Sequence, residues 1–330
     1  MNTSHFHPAR FRAFVRKDFR EHLAPALGAG LILYLAMATA FVWFDLRAKS
    51  RFLQELPASV NGGEAPNPLR DLIMEEALQG TDQLWYAIGT LTTLFFCPFM
   101  AFAGSRFLRE SRRRTGYARF LNLPVSPTER FAGRALCLLL LSLAVFCCST
   151  LLADLTRVGV TRWMYPEIAL SFPVPWWSGE GYFLPEMFLC GIAFHALFVL
   201  GSTYWPHGPF RKTAGAYLLS ASLLATAYII SVSSLQPEYG HHPMPGNWQA
   251  FWLYGMNAFC ILFCYALAYF RLKRAALLPS WNDRTTRAVL VAFALALVLC
   301  VAVPHYNIRH FPYHPTPAPP FPFMGLPPQD

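Results

Sequence analysis

The chain has 330 residues, of which 55% are hydrophobic and only 14% are charged, and its mean hydropathy is +0.32. In soluble domains about a quarter of the residues are charged. This composition therefore excludes a soluble enzyme, a disordered regulator and a secreted disulfide scaffold. The charge deficit is concentrated in apolar blocks of about 20 residues, the length that a helix needs to cross a bilayer. The sequence therefore predicts a polytopic helical membrane protein.

Seven apolar segments are long enough to cross a membrane. Because backbone polar groups in lipid must be bonded within the protein, each segment is predicted to be a helix, and the fold class is an all-α transmembrane bundle. The predicted spans, in chain order, are 23–44, 84–106, 135–153, 183–205, 214–235, 248–270 and 288–304.

Basic residues set the orientation, since the cytoplasmic loops of membrane proteins are enriched in lysine and arginine. Twenty of the 27 lysines and arginines fall in the N-terminal segment and around the loops after the second, fourth and sixth spans. The alternation predicts a cytoplasmic N-terminus and, after seven crossings, a C-terminus outside. The other seven are Arg47, Lys49, Arg51, Arg70, Arg157, Arg162 and Arg309.

Two segments flank the transmembrane domain, which is predicted to cover residues 23–304. Residues 1–22 are predicted to form a cytoplasmic amphipathic helix at the membrane surface, because Phe11, Phe14 and Phe19 share a face among basic residues. Residues 305–330 are rich in proline, and the chain from Pro304 onward is predicted to be an extended, non-helical tail outside the membrane.

The net charge of +9 is explained by the position of the basic residues relative to the membrane. The basic residues flank the spans, where they meet anionic lipid headgroups, so we predict contact with the lipid bilayer and no nucleic-acid partner.

All eight cysteines lie inside the apolar segments. They are interpreted as packing residues rather than as disulfides or metal ligands, including Cys260 and Cys264, which share a helix face.

Motifs for catalysis are missing from the sequence. It contains no G-x-x-x-x-G-K-[ST] loop to hold nucleotide phosphates and no H-E-x-x-H zinc motif. Ser202 follows a glycine but lacks the second glycine of a nucleophile elbow. We therefore expect no enzymatic activity and no cofactor in this chain.

Polar residues inside spans are candidates for function because they are costly in lipid. Glu186 lies in the first turn of the fourth span, near the outer interface, where the helix dipole favours a carboxylate. His195 lies deeper in the same span and is interpreted as a neutral histidine hydrogen-bonded to another helix, with a transport role as the alternative. Asn257, Ser220 and Thr226 are interpreted as interhelical contacts.

The loop between the second and third spans ends in a signal for a helix start. Ser126 and Glu129 have the spacing of a capping box, and Pro127 occupies the first helical position. Residues 117–121 can form a short helical turn that Pro124 ends. This arrangement predicts a short cytoplasmic helix tied to two membrane helices, although a plain, well-capped connection has the same signature.

Segment 114–134 resembles one that recurs in bacterial ABC-2-type transporter permeases. There the pattern L-x-L-P-[AV]-S-x-x-E-[KR]-F-x-x-R joins the second and third membrane helices. The amphipathic N-terminal helix and the basic end of the sixth span also resemble that family, which usually has six membrane helices rather than seven. The matching residues are Leu121, Leu123, Pro124, Val125, Ser126, Glu129, Arg130, Phe131 and Arg134.

The resemblance implies the membrane subunit of an ATP-driven exporter in the bacterial cytoplasmic membrane. Its partners would be a separate ABC ATPase subunit and a second permease subunit, identical or related. It also implies that Arg119, Pro124, Ser126, Glu129 and Arg130 lie at the ATPase contact. Charge reversal at Arg130 would then weaken that contact and leave the fold intact.

The alternative function is that of a non-transporting membrane protein that acts in assembly or signalling through its loops and tail. A membrane-embedded enzyme is disfavoured, because the spans contain no paired catalytic groups. A copurifying ATPase would favour the transporter, whereas an outer protein that binds the tail would favour the alternative.

The predicted topology can be tested by cysteine labelling in a variant without the eight native cysteines. A single cysteine at Arg113 should react with a membrane-impermeant maleimide only from the cytoplasmic side, and one at Pro317 only from outside. Reaction of both positions from the same side would contradict the seven-span topology.

Overall fold

The computed structural model describes residues 8–55, 88–108, 126–164, 183–205, 208–233, 246–273 and 284–310. Within these ranges the chain forms helices and no strand. Seven of the helices are long and apolar enough to cross a membrane, so the predicted fold class is confirmed. They are α1 Pro8–Glu55, α2 Ile88–Ser105, α3 Pro127–Met164, α4 Phe183–Tyr204, α5 Pro209–Ser233, α6 Gly246–Lys273 and α7 Arg284–His310.

Some predictions concern residues outside the described ranges. They include the contact residues Arg119 and Pro124, the labelling positions Arg113 and Pro317, and the tail beyond residue 310.

Several helices extend beyond the predicted spans. α1 joins the predicted surface helix directly to the first span, and it continues to Glu55 instead of ending near residue 44. α3 continues to Met164, eleven residues past its predicted end. Charged residues end an apolar pattern without ending a helix, because a helix that has left the lipid can carry polar side chains. Similarly, α7 continues past Pro304, where the extended tail was predicted, to His310.

The first turns of α1 pack against the start of α3 rather than standing apart from the bundle. A Cβ atom on Gly133 would lie 3.0 Å from a ring atom of Phe11 and 3.1 Å from one of Phe14. Pro25 lies inside α1 and has no N–H for the carbonyl of Glu21, which weakens the helix at this turn. The prediction that these turns lie on the membrane surface stays a prediction.

α1 and α3 form a closely packed pair. At Gly30, the missing side chain allows Val145 of α3 to approach the backbone of α1, and Ser149 Oγ donates to the Gly30 carbonyl at 3.0 Å. Small residues and hydroxyl groups at a crossing are typical of helix packing in membranes. Contacts advance along both helices together, which shows that the two run parallel: Asp18–Arg134, Gly30–Ser149 and Asp45–Arg157.

Aromatic side chains join α2 and α4 to this pair. The fully buried rings of Phe96 and Phe146 have their centroids 4.5 Å apart, and Phe188 of α4 lies 5.5 Å from Phe96. The ring of Phe96 lies directly over Gly191, where any side chain would collide with it. The core therefore depends on close contacts between helices as well as on apolar burial.

The chain divides into two compact units, Met1–Thr213 with Tyr254–Leu278, and Ala214–Leu253 with Pro279–Asp330. The aromatic core lies in the first unit. The described helices of the second unit expose most of their large apolar side chains, as the lipid-facing side of a span does. These exposed side chains include Leu218, Leu219, Ile229, Ile230, Val291, Leu295 and Val298.

We expect Gly104→Ala to destabilise the protein, because a Cβ atom at Gly104 of α2 would collide with the backbone oxygen of His195 in α4. Overpacking of this kind costs about 1–3 kcal/mol. Gly89→Ala in the same helix is the control, since nothing lies within 4 Å of its Cβ position. Thermal unfolding of both variants in lipid nanodiscs measures the difference, and equal stabilities would contradict the close contact of α2 and α4.

Candidate functional site

The predicted capping box is present at the start of α3. The backbone N–H of Ser126 donates to Glu129 Oε2 at 2.8 Å, and the N–H of Glu129 donates to Ser126 Oγ at 3.2 Å. Two N–H groups that the helix leaves without partners are thereby satisfied. Arg130 N–H donates to the Ser126 carbonyl at 3.0 Å and continues the helix. The start of α3 is thus fixed by local bonds.

Glu129 and Arg130 are buried, although the resemblance implies that both lie at the ATPase contact. Their exposed fractions are only 7% and 6%, whereas Pro127 and Thr128 are exposed. A glutamate in place of Arg130 would bring a carboxylate into a buried position beside Glu129. Arg130→Glu is therefore expected to reduce stability, contrary to the expectation from the sequence, and it cannot separate a contact role from a structural one.

The start of α3 is bonded to the C-terminal part of α6. Thr128 Oγ1 and Tyr269 Oη share a hydrogen bond of 2.9 Å. The ring of Phe131 packs edge-on against the rings of Tyr265 and Tyr269, with centroid distances of 6.4 and 5.7 Å. A displacement of this part of α3 would therefore be transmitted to α6.

A buried ion pair joins the same part of α3 to α1. Arg134 Nε donates to Asp18 Oδ1 at 2.9 Å, and both residues are at most 3% exposed. His22 Nε2 lies 3.8 Å from the same oxygen, one turn further along α1. From the sequence, Arg134 was expected only as a basic loop residue and as the last residue of the permease-like segment, and Asp18 was not singled out.

A second buried ion pair joins the C-terminal parts of α1 and α3. Arg157 donates through Nη1 to Asp45 and through Nε to Asp154, both at 2.8 Å. Thr161 Oγ1 donates to the same Asp45 oxygen at 2.8 Å. Asp45 and Arg157 are 1% exposed, although the sequence placed both in outer loops. Acidic residues near both ends of the first span could pair with arginines near both ends of the third, and this pattern is the signal that could have indicated the two pairs.

The two ion pairs lie at opposite ends of the α1–α3 pair. Asp18 and Asp45 are 27 residues apart, or about 40 Å along a helix, and Arg134 and Arg157 are about 35 Å apart. The hydrocarbon core of a bilayer is about 30 Å thick. Both pairs can therefore lie at headgroup depth, one on each side.

His195 is hydrogen-bonded to another helix, as predicted. Its Nδ1 lies 2.7 Å from Tyr265 Oη of α6, and the imidazole is completely buried. Tyr265 also contacts Phe131, so His195 is two contacts away from the start of α3. The interhelical role is thereby accounted for, and a transport role is not needed to explain this histidine.

The remaining polar candidates do not converge on one site. Glu186 lies in the first turn of α4, but its side chain is outside the described part of the structure, and Asn257 is half-buried in α6. Ser220 and Thr226 donate to carbonyls four residues earlier in their own helix, and their interpretation as interhelical contacts stays a prediction. Among the described residues, no three His, Cys, Asp or Glu side chains are placed to hold a metal ion.

Comparisons with known proteins do not assign a family: no family model, no curated protein and no solved structure matches this chain. The resemblance of segment 114–134 to ABC-2-type permeases stays a prediction from its residues. The functional argument therefore depends on the arrangement described above, in which the start of α3 is bonded to α1 and to α6.

We expect Asp18→Asn to lower the free energy of unfolding by about 3–5 kcal/mol, because the variant leaves the Arg134 charge buried opposite a neutral amide. The control is Lys17→Gln, which breaks the exposed Lys17–Glu21 pair of 3.7 Å and should cost at most about 1 kcal/mol. Thermal unfolding in nanodiscs measures both.

The double variant Asp18→Asn/Arg134→Met removes both charges and should be more stable than Asp18→Asn alone. A double variant as unstable as the sum of its single variants would show that the two groups are not coupled.

Proposed function

We propose that this chain is the membrane-spanning subunit of an ABC-type exporter that is energised by a separate ATPase subunit. The observation that carries the proposal is the fixed start of α3, where the capping box, the Asp18–Arg134 ion pair and the Thr128–Tyr269 hydrogen bond meet. The permease-like segment leads directly into this point. An element that receives force from a partner needs such rigid connections to the membrane helices.

The proposed mechanism is mechanical. ATP binding and hydrolysis belong to the ATPase partner, which moves the loop before Ser126. The capped end of α3 follows the loop, and the buried contacts carry the movement to α1 and α6. Because packed helices move as discrete bodies rather than deforming continuously, a small displacement at the loop would change the access of a path between helices from one side to the other.

In this proposal the N-terminus, the loop between α2 and α3 and the ATPase lie in the cytoplasm of a bacterium. A second permease subunit, identical or related, would complete the path. The distribution of basic residues supports this orientation, and the parallel course of α1 and α3 agrees with alternate crossings of the membrane.

The proposal predicts that the tagged chain, purified from its native membrane, recovers an ABC ATPase, while the isolated chain does not hydrolyse ATP. Arg119→Glu should lower ATPase recovery by about tenfold, the equivalent of losing one charge-assisted contact, with unchanged thermal stability. Arg162→Glu is the control, because this arginine is exposed at the opposite end of α3 and carries the same change of charge.

Three results would contradict the proposal. ATP hydrolysis by the isolated chain would place the energy source in this subunit. Purification without any ATPase, together with recovery of an outer protein through the C-terminal tail, would favour the alternative function in assembly or signalling. Equal loss of ATPase recovery in Arg119→Glu and Arg162→Glu would leave the loop without a specific role.

A further inference from the structure

A groove runs along the exposed side of the α1–α3 pair. It has a volume of about 730 Å³ and is lined almost entirely by apolar side chains of these two helices. Leu27 and Leu31 of α1 border it, as do Leu140 and Leu152 of α3, and all four are more than half exposed. Gly30 lines the groove at a point where Val145 of α3 approaches the backbone of α1. In a membrane this groove opens to the acyl chains of the bilayer.

The dimensions of the groove match one leaflet. Its lining on α1 extends from Val15 to Tyr34. The part from Leu23, the first residue of the predicted span, to Tyr34 is about 16 Å long, which is about half of the hydrocarbon thickness. The part from Val15 to Phe19 precedes the apolar segment and lies at the level of the headgroups.

A row of arginines continues the same face of α1 toward its N-terminus. Arg12, Arg16 and Arg20 repeat every fourth residue and are exposed. Arg16 and Arg20 each precede a groove residue, Leu23 and Leu27, by seven positions, which is close to two full turns. Cations therefore lie above the groove on the face that forms its wall.

The acidic residues of this segment do not occupy that face. Asp18 is buried against Arg134, and Glu21 lies 3.7 Å from Lys17, which is on another side of the helix. The end of the groove is consequently positive, whereas the groove itself is apolar. A second copy of this chain on the same face would bring its own arginines against these, at an electrostatic cost.

We propose that the α1–α3 groove binds one anionic phospholipid from the leaflet at the N-terminal end of α1. An acyl chain lies in the groove between Leu27 and Leu140, and the phosphate contacts Arg12, Arg16 and Arg20. Both parts of the lipid find a matching surface. The apolar groove accommodates the acyl chain, and one guanidinium group can donate to two phosphate oxygens at once. Binding of the lipid at this site requires neither the ATPase partner nor a transported substrate.

Native mass spectrometry tests the proposal with the detergent-purified full chain and either dioleoyl phosphatidylglycerol or dioleoyl phosphatidylcholine. We expect one tightly retained phosphatidylglycerol per chain and no comparable retention of phosphatidylcholine. Arg12→Gln/Arg16→Gln should raise the dissociation constant for phosphatidylglycerol by roughly 30-fold, the equivalent of about 1 kcal/mol for each arginine. Arg10→Gln/Lys17→Gln, a matched loss of two exposed charges on another side of α1, should leave it unchanged.

A second variant tests the position of the acyl chain. Ala144 of α3 lines the groove and is exposed, so Ala144→Trp should fill the groove without disturbing the core and abolish the retained lipid. Ala36→Trp, at an exposed position of α1 outside the groove lining, is the control. Thermal unfolding of all four variants verifies that they are folded.

Three outcomes would overturn the proposal. Equal weakening by Arg12→Gln/Arg16→Gln and Arg10→Gln/Lys17→Gln would indicate attraction by net charge alone. Lipid retention in Ala144→Trp equal to that of the unaltered chain would place the lipid elsewhere. Disulfide cross-links between copies through Cys148, which is exposed in the groove, would show that a second chain covers this face instead.

Discussion

The first unit depends on the pairing of buried charges at the two ends of α1 and α3. A charge inside the apolar part of a membrane costs about 2.5–3.5 kcal/mol even on the mildest scale, so such groups need partners and positions near water. Asp18 with Arg134 and Asp45 with Arg157 meet both requirements. Because each pair forms in only one register, together they fix the parallel alignment of the two helices along their full length.

That alignment determines how the other helices are attached. With Gly30 held opposite Val145 and Ser149, α3 presents Phe146 to Phe96 of α2, and the Phe96 ring in turn covers Gly191 of α4. At its N-terminal end the same helix meets α6 through Tyr265 and Tyr269. α3 is therefore the element through which a movement would reach most of the first unit, and this is the physical basis of the proposed coupling.

The close approach of α1 and α3 also produces the groove. The two parallel helices touch at small residues, and larger side chains on their exposed side leave a space between them. Leu27 of α1 and Leu140 of α3 form opposite walls of this space. A lipid in this groove and an ATPase at the start of α3 would act on the same helix pair from different sides. Lipid composition would then influence the stability of the element that the ATPase moves.

The sequence by itself determined the helical class, seven spans and the capping box at Ser126, because hydropathy and caps depend on residues near one another in the chain. It also indicated that His195 bonds across helices, since an isolated polar group in lipid requires a partner. Only the tertiary structure decided which partner, Tyr265, and that Arg130 and Arg134 are buried rather than facing solvent or lipid. Charge near a predicted membrane boundary has the same sequence signature whether it meets lipid, water or an opposite charge on another helix. That distinction depends on contacts such as Asp45–Arg157, between residues 112 positions apart, which local patterns do not contain.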